Sequence, residues 1–232
     1  MKRFLFIITL FSAVVSFGQS FNGGLVFGLC ASHTTGSFVD PVTYDEEATF
    51  NRSFSKPGIN AGVFTNLYFT DNQAIDFEIS FIQKGARKVP NKNDTLSGQV
   101  YESTLRLNYI TIPIHYKYEL SNYFSAFAGP NIGLLLSHSY TQNYIDQSDI
   151  LKFNRFDFSV DIGVVVKLLA RLSLDVKYSA TFFLLPIRSY NNPDSWSYGP
   201  FAKQFWQRGQ CNQLLDFTLR WTLFGSKDKL TN

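Results

Sequence analysis

The clearest signal in the chain is a period of two. From Phe156 to Leu168 every even position is apolar: Phe156, Phe158, Val160, Ile162, Val164, Val166 and Leu168. The odd positions run Arg155, Asp157, Ser159, Asp161, Gly163, Val165 and Lys167. Side chains alternate faces along a strand, so this segment predicts a strand with two unlike faces. Seven further segments alternate: 24–32, 59–69, 75–84, 105–118, 124–136, 172–182 and 215–223. In the fourth, Leu105, Leu107 and Tyr109 form the apolar set first and Ile110, Ile112, Ile114, Tyr116 and Tyr118 take over. Read with the apolar set facing outward, this change of phase predicts a β-bulge in that strand, next to Pro113.

The connections between these eight segments alternate in length. They run long (about 34–56), short (70–72), long (86–101), short (119–122), long (139–153), short (169–171) and long (185–211). Up-and-down transmembrane barrels have short turns at one end and long loops at the other. The alternating runs are about 9 to 13 residues, near the 9–11 a tilted strand needs to cross a bilayer, whereas soluble strands average about 5–6. The predicted fold is therefore all-β: an eight-stranded antiparallel up-and-down transmembrane β-barrel of the outer-membrane type. The apolar faces meet lipid and the polar faces fill the lumen. Expected lumen acids are Asp76, Glu78, Asp157, Asp161, Asp175 and Asp216; expected lumen bases are Lys84, Arg106, Lys117, Arg155, Lys167, Lys177 and Arg220. Near balance is what a narrow interior demands, because an unpaired charge there costs several kcal/mol. The lesser reading is a soluble lipocalin-like barrel with the apolar face inside.

Composition changes the picture little. Mean hydropathy is -0.06, but lumen residues dilute the lipid-facing ones in any barrel. Aromatics make up 17% of the chain, with 24 Phe, 12 Tyr and one Met, a balance that suits strands. A net charge of +3 without a basic block gives no nucleic-acid surface. The first residues, MKRFLFIITLFSAVVSFGQS, have the anatomy of a signal peptide: Lys2 and Arg3, an apolar run from Phe4 to Val15, then the small residues Ser16 and Gly18. The expected organisation is a signal peptide at 1–19, a barrel at 20–224 and a polar tail at 225–232. Cys30 is not a lipidation site, since it lies well past that cleavage point and follows Leu29.

Several stretches resemble the PorT-like family of outer-membrane β-barrel proteins: FEISFIQKGAR (77–87), LNYITIPIHYKY (107–118), FAGPNIGLLLS (127–137), FDFSVDIGVVVKL (156–168) and LSLDVKYS (172–179). Their order is more specific than any one of them. The resemblance implies a Gram-negative outer-membrane location without implying one activity. Some relatives take part in protein export through the type IX system and in gliding motility. The family has no catalytic residues to carry over.

Chemistry-bearing residues are sparse. His33, His115 and His138 lack metal-ligand spacing. His33 and His138 fall at the loop ends of their strands, where they could meet at the rim or be simply solvated. No G-x-S-x-G occurs. A lipid-acting barrel enzyme would make His115 with a neighbouring Ser the guess. No catalytic, cofactor-binding or metal-binding residue is assigned, and no cofactor is expected. Cys30 and Cys211 leave the barrel seam open to two outcomes, a disulfide or two thiols; their face parity is mismatched. The long loops carry acids at Asp40, Asp45, Glu46 and Glu47 and aromatics at Tyr190, Trp196 and Trp206, suited equally to recognition and to an interface belt. The expected function is a non-enzymatic, monomeric outer-membrane barrel, structural or interacting, with lipid and possible envelope or secretion-system proteins as partners. A lipid-acting enzyme and a small-solute channel are the alternatives.

Overall fold

The computed structural model describes residues 20–35, 54, 56–88, 102–142, 145–146, 148, 152–182, 185, 187–189 and 209–225. The expected signal peptide, the polar tail beyond 225 and most of the long-loop residues, including every loop acid and aromatic named above, lie outside them.

Among the described residues, eight long strands form a closed antiparallel ring. They are β1 (Ser20–Thr35), β2 (Lys56–Tyr68), β3 (Gln73–Lys88), β4 (Ser103–Glu119), β5 (Phe124–Gln142), β7 (Phe156–Lys167), β8 (Leu172–Thr181) and β10 (Gly209–Gly225). Two short strands, β6 (Ile145–Asp146) and β9 (Arg188–Ser189), extend β5 and β10 at the long-loop end. Each long strand pairs with its sequence neighbour, and β1 closes on β10 from Asn22↔Gly225 to Thr35↔Cys211. The turns at 69–72, 120–123 and 168–171 are short because each is closed by its own backbone bonds, as in Phe69 N–H to Gln73 O (3.2 Å) and Leu168 N–H to Leu172 O (2.9 Å).

The alternation dictates which side chains go inside. Asp157, Ser159 and Asp161 of β7 are buried, with Asp161 0% exposed, while Ile162 beside it is 60% exposed on the outer wall. The six acids expected in the lumen are all buried there, together with Lys84, Lys117, Lys177 and Arg220. Two expected lumen bases are elsewhere: Arg106 and Arg155 are exposed. Lys167 lines the interior at the short-turn mouth, where it is half-buried. Lys56, not anticipated, points inward near the long-loop end and donates to Pro57 O (2.8 Å).

The expected bulge in β4 is also corrected. Every odd residue of β4 from Ser103 to Lys117 is buried, so the strand never changes phase. Leu105, Leu107 and Tyr109 face inward. The register slip lies across from them: Asn108 pairs with Ser137 and Tyr109 with Leu135, which puts the extra residue, Leu136, on β5. With Cys30, Ile82, Ala86, Tyr140, Ile187 and Leu214, these three side chains form an apolar plug across the long-loop half of the interior. β4 and β5, at 17 and 19 residues, are longer than the sequence pattern indicates, because the ladder continues to Ser103↔Gln142.

Both cysteines are thiols. Cys30 faces the interior opposite Asp216 and donates to Gln83 O (3.2 Å); Cys211 stands opposite Thr35, at the far end of the same ladder and on the other parity. Alkylation of unfolded, unreduced protein is therefore expected to add two alkyl groups by intact mass; no added group would mean a disulfide. Spin labels at positions 158, 162 and 217 are expected to be reached by lipid-soluble oxygen, and labels at 157, 161 and 216 are not; the reverse pattern would invert the barrel.

Candidate functional site

The polar interior is built from residues two apart on each strand, whose charges meet partly between paired neighbours, as in Lys177 with Asp216, and partly across the ring, as in Arg220 with Asp76. Arg220 of β10 stands at the centre of one node. Its Nη2 donates to both carboxylate oxygens of Asp76 on β3 (2.8 and 2.7 Å) and lies 3.5 Å from Glu78; its Nη1 lies 3.6 Å from Asp175 on β8. The guanidinium also sits over the Phe64 ring, 4.3 Å from its centroid. His115 of β4 links this node to the next. Its Nε2 is 3.1 Å from Asp161 on β7 and its Nδ1 is 3.7 Å from Asp76. Asn131 donates to Asp161 (3.0 Å), while Lys177 stands 3.5 Å from Asp216, which also accepts from Asn60 (2.7 Å).

A third node is embedded in the apolar plug. Lys84 of β3 donates to Asp157 of β7 (2.9 Å), whose carboxylate also accepts from Thr181 (2.7 Å) and Asn212 (3.0 Å). The Lys84 ammonium lies 5.3 Å from the centroid of the Tyr109 ring. These are charge-assisted hydrogen bonds among buried side chains, stronger than their exposed counterparts and costly to break.

At the short-turn mouth the interior opens into a cavity of about 380 Å³. Its lining includes Asn66, Lys117, Glu119, Lys167, Arg171 and Arg220. At the long-loop end, His33 and His138 do not come together, and His33 is not solvated. His33 is buried beneath Phe54, edge to face at 4.9 Å, and Phe54 in turn meets Tyr178 (6.5 Å). His138 packs on Phe153 and bonds to Ser148 O (3.2 Å). Ser148 also holds the exposed Asp146, whose carboxyl lies below the usual carboxylate range because the hydroxyl and backbone N–H of Ser148 both donate to it.

Among the described residues no three His, Cys, Asp or Glu side chains are grouped to hold a metal ion. His115 is 1% exposed and enclosed by two carboxylates and the Phe127 ring, with no serine hydrogen-bonded to it among the described residues. The mouth was missed in the sequence because turn residues such as Arg171 carry no alternation. Lys117 and Lys167, by contrast, were legible as inward parity.

A family model described as the outer membrane protein beta-barrel domain matches residues 17–183. The chain belongs to this family. The barrel accordingly lies in the outer membrane, with the short turns and mouth cavity at the periplasmic end and the long loops outside. Among solved structures, Ail of Yersinia pestis is 10% identical, with 87% of this chain and 98% of that one covered and a TM-score of 0.43. Neisserial surface protein A is 12% identical over 88% and 98% (TM-score 0.44), and OprG of Pseudomonas aeruginosa is 10% identical over 88% and 92% (TM-score 0.35). No curated protein matches the chain.

The outer-membrane barrel is expected to depend on its nodes. Asp157→Leu strands the Lys84 ammonium in the plug and should cost about 3–5 kcal/mol in urea unfolding. Removing Glu102 from its exposed pair with Arg87 (2.6 Å) should cost about 0–1 kcal/mol. The double replacement Lys84→Met, Asp157→Leu should recover most of the loss, since it leaves no buried charge unpaired. Equal losses for D157L and E102A would mean that the interior charges are solvated.

Proposed function

We propose that this outer-membrane barrel is a non-enzymatic envelope component that acts through its exposed ends, as an interaction module rather than as a conduit. The packed interior is the observation that carries this reading. Leu105, Leu107, Tyr109, Ile187 and Leu214 are at most 1% exposed across the outer half, and the Lys84–Asp157 node fills the space among them. Eight strands enclose an interior that side chains can fill, and an aqueous channel needs many more. A catalytic role on lipid would require a nucleophile and base open to the bilayer or the rim. His115 instead faces inward between Asp76 and Asp161.

The finer reading is that the chain is PorT-like and acts alongside envelope or type IX export proteins as a monomeric barrel, delivered by a cleaved signal peptide at 1–19. It is supported by the ordered motifs at 77–87, 107–118 and 127–137. Co-purification of the detergent-extracted, cross-linked protein tests it: recovery of export-machinery proteins supports the PorT-like role, and a barrel recovered without them refutes it. Planar bilayers test the closed interior. The wild type is expected to give no discrete conductance steps, and steps of a water-filled pore would favour the channel. Unchanged lipid profiles in cells carrying His115→Ala would count against the enzyme; a changed profile would favour it.

A further inference from the structure

The mouth cavity has a property the rest of the interior lacks. Among the described residues the buried Lys and Arg side chains are Lys56, Lys84, Lys117, Lys177 and Arg220. Four have partners: Pro57 O for Lys56, Asp157 for Lys84, Asp216 for Lys177, and Asp76 with Glu78 and Asp175 for Arg220. Lys117 is 5% exposed and lines the cavity. Its ammonium has no hydrogen bond and no ion pair within 4.0 Å among the described residues. The nearest acid on its own strand, Glu119, faces Lys167 (3.8 Å). The carboxylates that hold Arg220 do not line the cavity, whereas Lys117, Lys167, Arg171 and Arg220 do, against Glu119 alone. Asp76, Glu119 and Asp175 act on this ammonium only at a distance and Arg220 opposes it, so a direct anionic partner in the cavity is favoured. Asn22, Asn66, Asn72 and Asn122 also line the space, with Asn66 donating to Asn22 and Asn22 to Tyr68. The volume of about 380 Å³ is at the small end of ligand pockets.

We propose that the periplasmic mouth is a binding site for a small oxyanion, with phosphate chemistry, held by Lys117 at its floor and by Lys167 and Arg171 at its rim. The phosphate comes either from a soluble periplasmic anion or from the headgroup of an inner-leaflet phospholipid beside the mouth. This rests on the barrel itself and not on the interaction role proposed above, so either can fail without the other.

Inorganic phosphate titrated into the refolded full-length barrel in neutral detergent, at constant ionic strength against chloride, tests it by calorimetry and by the urea midpoint. Saturable binding is expected, with a midpoint that rises with phosphate by mass action. Lys117→Met should weaken binding about tenfold or more, the loss of one charge-assisted contact. Lys152→Gln, exposed at the outer end, should leave it unchanged. Should K117M fail to fold, Lys167→Gln with Arg171→Gln at the open rim must weaken binding instead. No saturation by the wild type would mean that water alone solvates Lys117. That result overturns the site, as does unchanged binding by K117M or by the rim pair. Nanodiscs of phosphatidylcholine with and without phosphatidylglycerol separate the sources: competition by phosphatidylglycerol identifies the headgroup, and its absence identifies the soluble anion.

Discussion

The closure of β1 on β10 is the constraint from which the rest of the molecule follows. In the hydrocarbon of a bilayer no water can satisfy a bare strand edge, so each backbone N–H and C=O must pair within the protein. Closing eight strands does this, and it also fixes a narrow interior whose volume side chains must fill. Once the ring is closed, the parity of each residue determines its solvent. A polar side chain on the inward parity cannot reach water through the wall. It must find its partner inside the barrel, either on the neighbouring strand, as Lys177 finds Asp216, or across it, as Arg220 finds Asp76 and Lys84 finds Asp157.

These cross-barrel pairs do more than neutralise charge. β3 and β10 are separated around the ring by β1 and β2, and β3 and β7 by β4 and β5. Backbone ladders join only adjacent strands. The Arg220–Asp76 and Lys84–Asp157 bonds brace opposite walls, which the ladders alone cannot do. Their stabilising effect is conditional: each is favourable relative to a stranded charge, and a well-packed apolar replacement of both partners would serve stability comparably. Ionic struts do impose register, because a slip by one residue would turn an aspartate into lipid.

The polar face of nearly every strand was legible in the sequence, because through the bilayer the outside is apolar and the inside polar. The reading failed where that contrast inverts. Toward the outer end of β4 the outward side chains turn polar (Thr104, Arg106, Asn108), and the interior holds the apolar plug. Arg106 therefore points out and Leu105, Leu107 and Tyr109 point in, with no break in parity. A pattern rule that assigns apolar residues to the lipid sees this inversion as a change of phase and supplies a bulge to explain it. The true bulge, at Leu136 of β5, leaves little trace because LLL at 134–136 is apolar on both parities. Arg155 was misplaced for a related reason: it lies on the inward parity of β7 but just before the strand begins. Lys56 was missed because the alternation is recognisable only from Ile59 onward.

The same inversion arranges the molecule along its axis. Apolar packing closes the outer half, charge nodes brace the middle, and an open cationic cavity remains at the periplasmic mouth. A uniformly polar interior of this width would admit water along its length and weaken each ion pair by solvation. The plug surrounds the Lys84–Asp157 bond, so this pair sits among apolar side chains, where an ion pair is screened less than its residue types suggest. The nodes cannot then serve as a path for solutes without dismantling the plug first. Whatever the barrel recognises must meet it at an end, on the outer loops or at the mouth, where Lys117 has no direct partner among the described residues.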